Sequence, residues 1–343
     1  MRKLLNTLFV TSENAYLTLD GENVVVKNAN VEIARFPLHN FEGIISFSYA
    51  GASPSLMGAL AKHGINLCFC TPNGRFLART TANSNGNVLL RRKQYRIADD
   101  EAQSREIARN MIFAKVHNCR WSVDRTARDH AIRVDVDKIL AAGQKLSGML
   151  PMIKYASSLD SLRGMEGEAA TVYFGVFNEM ILSNKDAFFY KGRSRRPPLD
   201  KLNALLSFAY AMLARDCSSA LESVGLDPYV GFLHTDRPGR VSLALDLMEE
   251  FRPCMADRFV LTLINNRIIK AQDFSDEAGG AVNLADEGRK RFLTEWQERK
   301  RDVITHPYLK EKIPWGLAPH MQALLLARYI RGDIDGYPPF LWK

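Results

Sequence analysis

A short polar segment at residues 81–87, with the sequence TANSNGN, divides the chain into two parts with different hydrophobic patterns. It consists of small and polar residues, contains a glycine and has no hydrophobic period, which is typical of a linker. The residues before it alternate like strands, whereas those after it show the three-and-four spacing of helices. We therefore predict an α+β protein, with a small β-rich domain at 1–80, a linker at 81–92 and a larger all-α domain at 93–343.

The first part is predicted to hold several strands and one helix. Asp20-Gly21 is the turn signal of a hairpin. Ser53 followed by Pro54 is a typical helix start, and Gly64 ends that helix. Strands are predicted at 4–10, 16–20, 24–27, 31–36, 43–47, 65–70 and 75–80. Because a β domain with an edge strand can pair with a second copy, we expect this domain to serve in dimerisation.

The second part is predicted to be helical throughout, with a coil tail at 336–339 (GYPP). Its hydrophobic residues recur at intervals of three and four, and glycine or proline residues separate the periodic stretches. Helices are predicted at 102–118, 159–182, 199–214, 242–251, 256–265, 286–301 and 319–331.

The composition is that of an ordinary globular protein. Of 343 residues, 46% are hydrophobic and 24% are charged, which argues against disordered and fibrous classes. No apolar run reaches the roughly 18 residues of a transmembrane helix. The basic, apolar start is interrupted at Asn6 and Thr7 and has no small-residue cleavage site. We expect a cytoplasmic protein with no membrane partner.

The five cysteines do not indicate a disulfide framework, because their number is odd and their spacing irregular. Cys68 and Cys70 lie on one face of a predicted strand and have no second pair of metal ligands nearby. We interpret them as buried thiols, with a zinc site as the alternative.

The formal net charge is +8, and the basic residues are clustered. The clusters lie at 91–93, 193–196, 289–291 and 299–301. Such clusters can neutralise phosphates. In the last two, Glu295 and Glu298 are interleaved with the basic residues, so a solvated helix face is the alternative there.

Two acids lie in the otherwise apolar helix predicted at 242–251. Asp246 and Glu249 are three residues apart, which places them on one face. An apolar stripe at four-residue spacing runs beside them, so both border buried surface, whereas Glu250 is expected to take the most exposed position. A carboxylate among leucines is costly unless something pairs with it.

Glu166 and His234 also stand in apolar or small surroundings. Each has an ordinary explanation when taken alone. Arg163, three residues before Glu166, could pair with it on the helix surface, and His234 could cap the end of its element. Together with Asp246 and Glu249 they make three carboxylates and one imidazole, a set that suggests a divalent metal.

At this point the chain resembles a known family, the CRISPR-associated integrase that is common to nearly all CRISPR systems, the first-numbered Cas protein. Four stretches carry the resemblance in order and spacing: MEGEAATVYF, SRRPPLDKLNALLSFAY, GLDPYVGFLH and ALDLMEEFRP. The N-terminal pattern also fits, from LLNTLFV through HGINLCFCTPNGRF, so the resemblance covers essentially the whole chain. The tail PPFLWK points to a type I system.

The resemblance implies a catalytic site made of all four residues. Glu166, His234 and Glu249 would be the metal ligands, and Asp246 would be a near neighbour that orients or assists. Many relatives carry aspartate in place of Glu249, whose side chain is one methylene longer. The implied metal is Mg²⁺ or Mn²⁺, and a histidine ligand favours Mn²⁺.

By resemblance, the protein is a metal-dependent DNA endonuclease and integrase of CRISPR adaptation. The 3′ hydroxyl of a prespacer attacks a phosphodiester of the repeat, which is a transesterification. The implied partners are double-stranded DNA, a second copy of the chain, and the second-numbered Cas protein, a dimer of which lies between two homodimers in a heterohexamer. From charge and position, the expected DNA contacts are Arg193, Arg195, Arg196, Arg237, Arg240 and Arg252.

Two other functions stay open from the residues themselves. One is a basic DNA-binding scaffold whose acidic cluster only caps and pairs. The other is a hydrolase of small phosphate esters. Loss of strand joining in a Glu166→Ala variant would argue against the scaffold, and turnover of small esters without preference for DNA ends would identify the hydrolase.

Overall fold

The computed structural model describes residues 7–12, 14–41, 43–71, 76–80, 88–194, 197–277 and 279–343. The chain divides into two compact units. The first comprises Met1–Asn85, Leu284–Asp302 and Pro314–Gly316, and the second comprises Gly86–Asn283, Val303–Ile313 and Leu317–Lys343. The predicted α+β class is confirmed, because strands dominate the N-terminal part and helices dominate the rest.

The N-terminal part contains two sheets. Its strands are β1 (Thr7–Val10), β2 (Ala15–Asp20), β3 (Asn23–Asn28), β4 (Val31–Pro37), β5 (Gly43–Ser46), β6 (Asn66–Cys70) and β7 (Phe76–Thr80). Strands β2, β3 and β4 form an antiparallel sheet. In the other sheet β1, β5 and β6 are parallel, and β7 is antiparallel to β6. Each predicted strand overlaps an observed one; predicted residues 4–6 and 75 lie outside the described chain.

Local signals in this part were predicted well. Gly21 has a φ of 55° in the hairpin turn, a conformation that glycine adopts without steric cost. Helix α1 (Pro54–His63) begins after Ser53, whose Oγ accepts a hydrogen bond from the Leu56 N–H at 3.3 Å. It ends at Gly64, which is left-handed with a φ of 68°. None of the five cysteines, all of which lie in the described ranges, forms a disulfide; Cys68 is half-buried and the other four are buried.

Most of the remaining elements are helices. They are α2 (Val88–Ala98), α3 (Glu101–His130), α4 (Val136–Lys154), α5 (Leu159–Gly175), α6 (Phe177–Met180), α7 (Lys201–Ser223), α8 (Ser242–Glu249), α9 (Arg258–Asn265), α10 (Asp286–Arg301) and α11 (Ala318–Arg331). Two short strand pairs are β8 (Phe274–Asp276) with β9 (Val282–Leu284), and β10 (Val303–Thr305) with β11 (Lys312–Pro314). No helix in the described ranges combines the length and apolarity needed to cross a bilayer.

The domain limits drawn from the sequence stay a prediction. Residues 81–87 of the expected linker lie outside the described chain, and residues 88–92 begin α2. Helix α10 belongs to the first compact unit, although the prediction placed all of 93–343 in the second domain.

Helix α3 organises the second unit, because it packs against α4, α5 and α8. Asp100 caps its start, and one carboxylate oxygen accepts a hydrogen bond from the Ala102 N–H at 2.9 Å. The helix was predicted only over 102–118, and α4 was not predicted.

The chain after α8 departs from ordinary helical geometry. A π-helix spans Arg252–Asp257 between α8 and α9. Pro253 has no N–H to donate and its ring crowds the preceding turn, which disfavours regular helical geometry at this point. The helix predicted at 159–182 is also shorter than expected: α5 ends at Gly175, and the separate turn α6 follows.

Candidate active site

A buried lysine joins two of the predicted site acids. Lys115, in the middle of α3, forms an ion pair with Glu166 of α5, and its Nζ lies 2.7 Å from Glu249 Oε2 at the end of α8. The Lys115 side chain is 7% exposed, that of Glu249 2%, and that of Glu166 30%. Carboxylates from two separate helices therefore converge on one cation.

Arg252 holds the other oxygen of Glu249. Its Nη1 lies 3.0 Å from Glu249 Oε1. Burial alone would raise the pKa of Glu249, but the charges of Arg252 and Lys115 outweigh burial and lower that pKa to about 2. Burial would likewise lower the pKa of Lys115, and the charges of Glu249 and Glu166 raise it instead. Both groups are therefore ionised near neutral pH.

Asp246 is fully buried and is directed at His234. One oxygen accepts hydrogen bonds from the Phe232 N–H at 2.6 Å and the Leu233 N–H at 3.0 Å. The other accepts from the His234 N–H at 3.0 Å and lies 2.5 Å from His234 Nδ1. Four donors thus surround one carboxylate, which leaves it little capacity for a metal.

This arrangement defines the orientation of the imidazole. With Nδ1–H donating to Asp246, the lone pair of His234 lies on Nε2, as in the carboxylate–histidine pairs of metal sites. Gly231 permits the close approach, since a Cβ there would lie 2.8 Å from Asp246 Oδ2.

Arg163 connects α5 to the loop that carries His234. Its Nε and Nη2 donate to the Leu233 carbonyl at 3.1 and 2.8 Å, and its Nη1 donates to Asp160 at 2.6 Å. The alternative of a simple Arg163–Glu166 helix pair is therefore wrong, because Glu166 pairs with Lys115. The arginine fixes the loop beside the helix of Glu166.

The types of ligand present suit a divalent cation, although the side chains do not form a complete metal site. Within the described ranges, no three histidine, cysteine or acidic side chains are arranged closely enough to hold a metal. Yet Glu166 and Glu249 already share one cationic centre, because Lys115 pairs with Glu166 and with Glu249 Oε2. Two carboxylates and an imidazole nitrogen are ligands that Mg²⁺ or Mn²⁺ accepts.

Glu250 was predicted to be the most exposed residue of its helix, and this prediction is wrong. It is fully buried. The Tyr337 hydroxyl donates to one oxygen, and the Phe340 N–H, at 2.7 Å, and Gln322 Nε2, at 3.0 Å, donate to the other. The C-terminal tail covers the side of α8 that the sequence pattern assigned to water.

Sequence reasoning missed Lys115, and it missed Tyr210, an aromatic residue beside Arg252. The Tyr210 ring lies 5.4 Å from the Arg193 guanidinium and 5.0 Å from that of Arg252, and its hydroxyl donates to Asp257 at 2.5 Å. Burial raises the pKa of Asp257 to about 6. The one signal for Lys115 was its place among the apolar residues of the helix predicted at 102–118.

The six arginines predicted to contact DNA differ in their surroundings. Arg193 donates to Asn203 Oδ1 at 2.7 Å and to Ser207 Oγ at 3.1 Å, so it also braces the start of α7. Arg237 is exposed and Arg240 is half-buried, whereas Arg252 is committed to Glu249. Arg195 and Arg196 lie outside the described residues.

Comparison with known proteins identifies the family of the chain. The model of the family "CRISPR associated protein Cas1" matches residues 8–298. A CRISPR-associated endonuclease Cas1 of Chlorobaculum tepidum is 49% identical over 343 residues, which is the full length of both chains.

Two solved structures share the fold. A casposase bound to integration product superposes with a TM-score of 0.83 at 24% identity, covering 98% of this chain and 93% of the other. A Cas6-RT-Cas1–Cas2 complex gives 0.82 at 23% identity, covering all of this chain and 36% of the other. With the family match and the relative that is nearly half identical, the resemblance read from the sequence is confirmed, and the chain belongs to the Cas1 family of CRISPR-associated proteins.

Proposed function

We propose that the chain is a metal-dependent DNA endonuclease and integrase of CRISPR adaptation. Family membership supports a nuclease or integrase role, since the C. tepidum relative is named an endonuclease. The observation that carries the proposal is the convergence of Glu166 and Glu249 on one cation, beside a His234 that Asp246 orients.

The proposed metal ligands are Glu166, His234 and Glu249, with Asp246 as a positioning residue. A bound Mg²⁺ or Mn²⁺ would neutralise the negative charge that develops on the attacked phosphodiester. The imidazole ligand favours Mn²⁺. Glu249, one methylene longer than the aspartate common in the family, reaches this centre in an Arg252-braced position.

The chain's own residues account for the rest of the chemistry. Asp246 keeps the His234 Nδ1 proton in place, so the histidine cannot turn its protonated nitrogen towards the centre. Arg252 holds Glu249 Oε1. The other oxygen, Oε2, which pairs with Lys115, would bind the metal in place of the lysine. In the proposed transesterification, the bond from the prespacer 3′ oxygen to phosphorus forms as the bond to the repeat 3′ oxygen breaks. The leaving oxygen gains a proton and the attacking hydroxyl loses one.

The proposed partners follow from the same family. We infer a homodimer, with two such dimers on either side of a Cas2 dimer. The fold shared with the Cas1 part of a Cas6-RT-Cas1–Cas2 complex supports pairing with Cas2. Arg193, Arg237, Arg240 and Arg252 are proposed to contact DNA phosphates. Affinity should then fall steeply with salt, with a log–log slope of about −0.9 per phosphate contact.

The test is strand transfer of a short duplex with 3′ hydroxyl ends into a supercoiled plasmid that carries the repeat, with the partner protein present. We expect joining in Mn²⁺ or Mg²⁺ and none in EDTA. Glu166→Ala and His234→Ala should abolish joining while folding and DNA binding persist. Glu168→Ala is the matched control, because Glu168 is exposed on the same helix.

Full activity of both site variants in Mn²⁺ would refute the catalytic assignment. DNA binding by the parent without joining or cleavage under any metal would instead favour the scaffold. Turnover of small phosphate esters without preference for DNA ends would favour the hydrolase.

A further inference from the structure

A second basic feature of the helical unit lies outside the site described above. A cavity of about 270 Å³ opens between the C-terminal end of α3 and helix α9. Arg125, Arg133 and Arg258 line it, together with Asp129, His130 and Asn266. None of these arginines is among the predicted DNA contacts.

The acid in the lining is already neutralised. Asp129 Oδ2 accepts from Arg125 Nε at 2.9 Å, and Asp129 Oδ1 accepts from Arg128 Nε at 2.9 Å. Three arginines therefore face the cavity against one carboxylate whose two oxygens are both engaged. The cavity keeps an excess of positive charge, which favours an anion.

Two of the guanidinium groups are held in place by one aromatic ring. Arg125 lies 5.1 Å and Arg258 5.6 Å from the centre of the Trp121 ring. Cation–π contacts fix both groups, and bringing two like charges to one ring is costly unless an anion lies near. Trp121 is itself packed edge-on against Trp342, with 6.0 Å between ring centres.

Arg125 and Arg133 keep donors for a ligand. Arg133 uses Nη2 to bind the Leu182 carbonyl at 2.7 Å. Within the described part of the chain, Arg125 Nη1 and Nη2 donate to no acceptor. Planar guanidinium groups with parallel N–H donors match the oxygens of a phosphate group in a bidentate geometry.

We propose that this pocket, defined by Arg125, Arg133 and Arg258, binds a phosphate group of the DNA backbone away from the reacting phosphodiester. The identification of DNA rests on the proposed function. Lys115 and Arg125 are ten residues apart on α3, or about 15 Å along the helix axis. This distance corresponds to about four nucleotides of a duplex strand at 3.4 Å each. The pocket thus holds a flanking phosphate and not the attacked one.

The test compares Arg125→Gln with Arg128→Gln. Both changes remove one guanidinium from the same turn, but Arg128 does not line the cavity and is 70% exposed. DNA affinity is measured by fluorescence anisotropy from 50 to 200 mM salt. We expect the log–log slope of Arg125→Gln to be shallower by about 0.9, so its affinity falls about 3.5-fold less over this range than that of the parent. Arg128→Gln should keep the parent slope.

A double variant, Arg125→Gln with Arg133→Gln, should change the slope by about twice as much. Equal slopes for Arg125→Gln and Arg128→Gln would overturn the proposal. Inorganic phosphate serves as the second probe: it should compete with DNA in the parent and not in Arg125→Gln. Thermal stabilisation by phosphate that depends on Arg125, with no change in the DNA slope, would assign the pocket to a free phosphate and refute the DNA assignment.

Glu166→Ala separates this inference from the proposed function. If Glu166→Ala loses joining but Arg125→Gln leaves the salt slope unchanged, the pocket assignment alone fails. If Glu166→Ala keeps full joining activity, the active-site assignment fails, and the salt slopes still decide whether the pocket binds DNA.

Discussion

Glu249 and Glu250 are adjacent in sequence and both deeply buried, yet near pH 7 Glu249 is ionised and Glu250 is mainly neutral. Glu249 faces Lys115 and Arg252, and its pKa is lowered to about 2. Glu250 faces only neutral donors, and burial raises its pKa to about 8. Burial disfavours the charged form of both, so the nature of the neighbours decides the outcome.

The two acids mark a site side and a tail side of α8. On the site side, the carboxylate of Glu249 is ionised near pH 7 and can exchange the ammonium group of Lys115 for a metal ion. On the tail side, a carboxyl group that is mainly protonated near pH 7 anchors the C-terminal segment. Asn118 reinforces the anchor, since its Nδ2 donates to the Glu250 and Phe340 carbonyls at 2.8 and 2.9 Å and its Oδ1 accepts from the Trp342 N–H at 2.8 Å.

The largest effect is expected from Glu249→Gln. The change leaves Lys115 and Arg252 buried without the charge between them, and breaking a buried ion pair from one side costs about 3–5 kcal/mol. Urea unfolding in EDTA at pH 7 measures this loss, and strand joining should disappear as well. The comparison variant is Glu250→Gln, which replaces a mainly neutral acid by a neutral amide. Similar losses for the two variants at pH 7 would erase the distinction between the two sides.

Lys115→Met should have the next largest effect. Glu249 keeps Arg252 as a partner and Glu166 is partly exposed, so we expect a loss near the lower end of that range, about 3 kcal/mol, in EDTA. Mn²⁺ should then raise the melting temperature more than in the parent, because no lysine competes for the two carboxylates. Lys145→Met, on the exposed face of α4, is the control. A smaller Mn²⁺ shift in Lys115→Met than in the parent would show that the lysine supports metal binding and does not oppose it.

The sequence predicted those parts of the fold in which local signals and packing agree. The hairpin at Gly21 and the capped helix from Ser53 to Gly64 are examples. The second half of α3 was missed because its inward face carries Asn118, Ser122 and Thr126, all buried, which interrupt the hydrophobic period.

Helix α4 was missed for a related reason. Its interior holds Gly143, Gly148 and Pro151, which have low helix propensity. Gly143 lies close to α3, since a Cβ there would overlap Asp124 Oδ1 and the Asp124 side chain would have to move. Propensity argued for a break in a segment that packs against α3 and α5 as a helix.

The candidate site was partly visible in the sequence. Glu166, Asp246 and Glu249 were identifiable because carboxylates in apolar segments need partners. Lys115 was not, since a lysine within a helix is ordinarily solvated, and only the fold shows that it lies between two acids. The burial of Glu250 depends on a tail more than 80 residues away, which no local pattern can reveal.

The pH dependence of stability sharpens the contrast between the two acids. Glu250 has a raised folded-state pKa, so its contribution is fully present below its unfolded pKa of about 4.5 and is lost as pH rises to about 8. The slope approaches about 1.4 kcal/mol per pH unit within that window. Glu249 has a lowered pKa, so its contribution is present above about 4.5 and is lost as pH falls towards 2.

Urea unfolding of the metal-free protein at pH 5, 6, 7 and 8 measures these slopes. Glu250→Gln should lack the loss between pH 5 and 8 and should therefore gain on the parent as pH rises. Glu249→Gln should keep that loss, and its deficit relative to the parent should be full across this range and shrink only as pH falls from about 4.5 towards 2. Parallel curves for Glu250→Gln and the parent from pH 5 to 8 would mean that Glu250 is ionised despite its burial.

The smallest effect is expected from Tyr337→Phe, which removes one donor to Glu250 and leaves the aromatic ring in place. A lost neutral hydrogen bond costs about 1 kcal/mol. Because the Tyr337 hydroxyl lowers the folded-state pKa of Glu250, its removal should extend the upper end of the pH window in which stability is lost, while the lower end stays at the unfolded pKa of about 4.5. Strand joining at pH 7 should persist, since the site side of α8 is untouched. Loss of joining in a folded Tyr337→Phe variant would show instead that the tail anchor positions Glu249, and that the two sides of the helix are one functional unit.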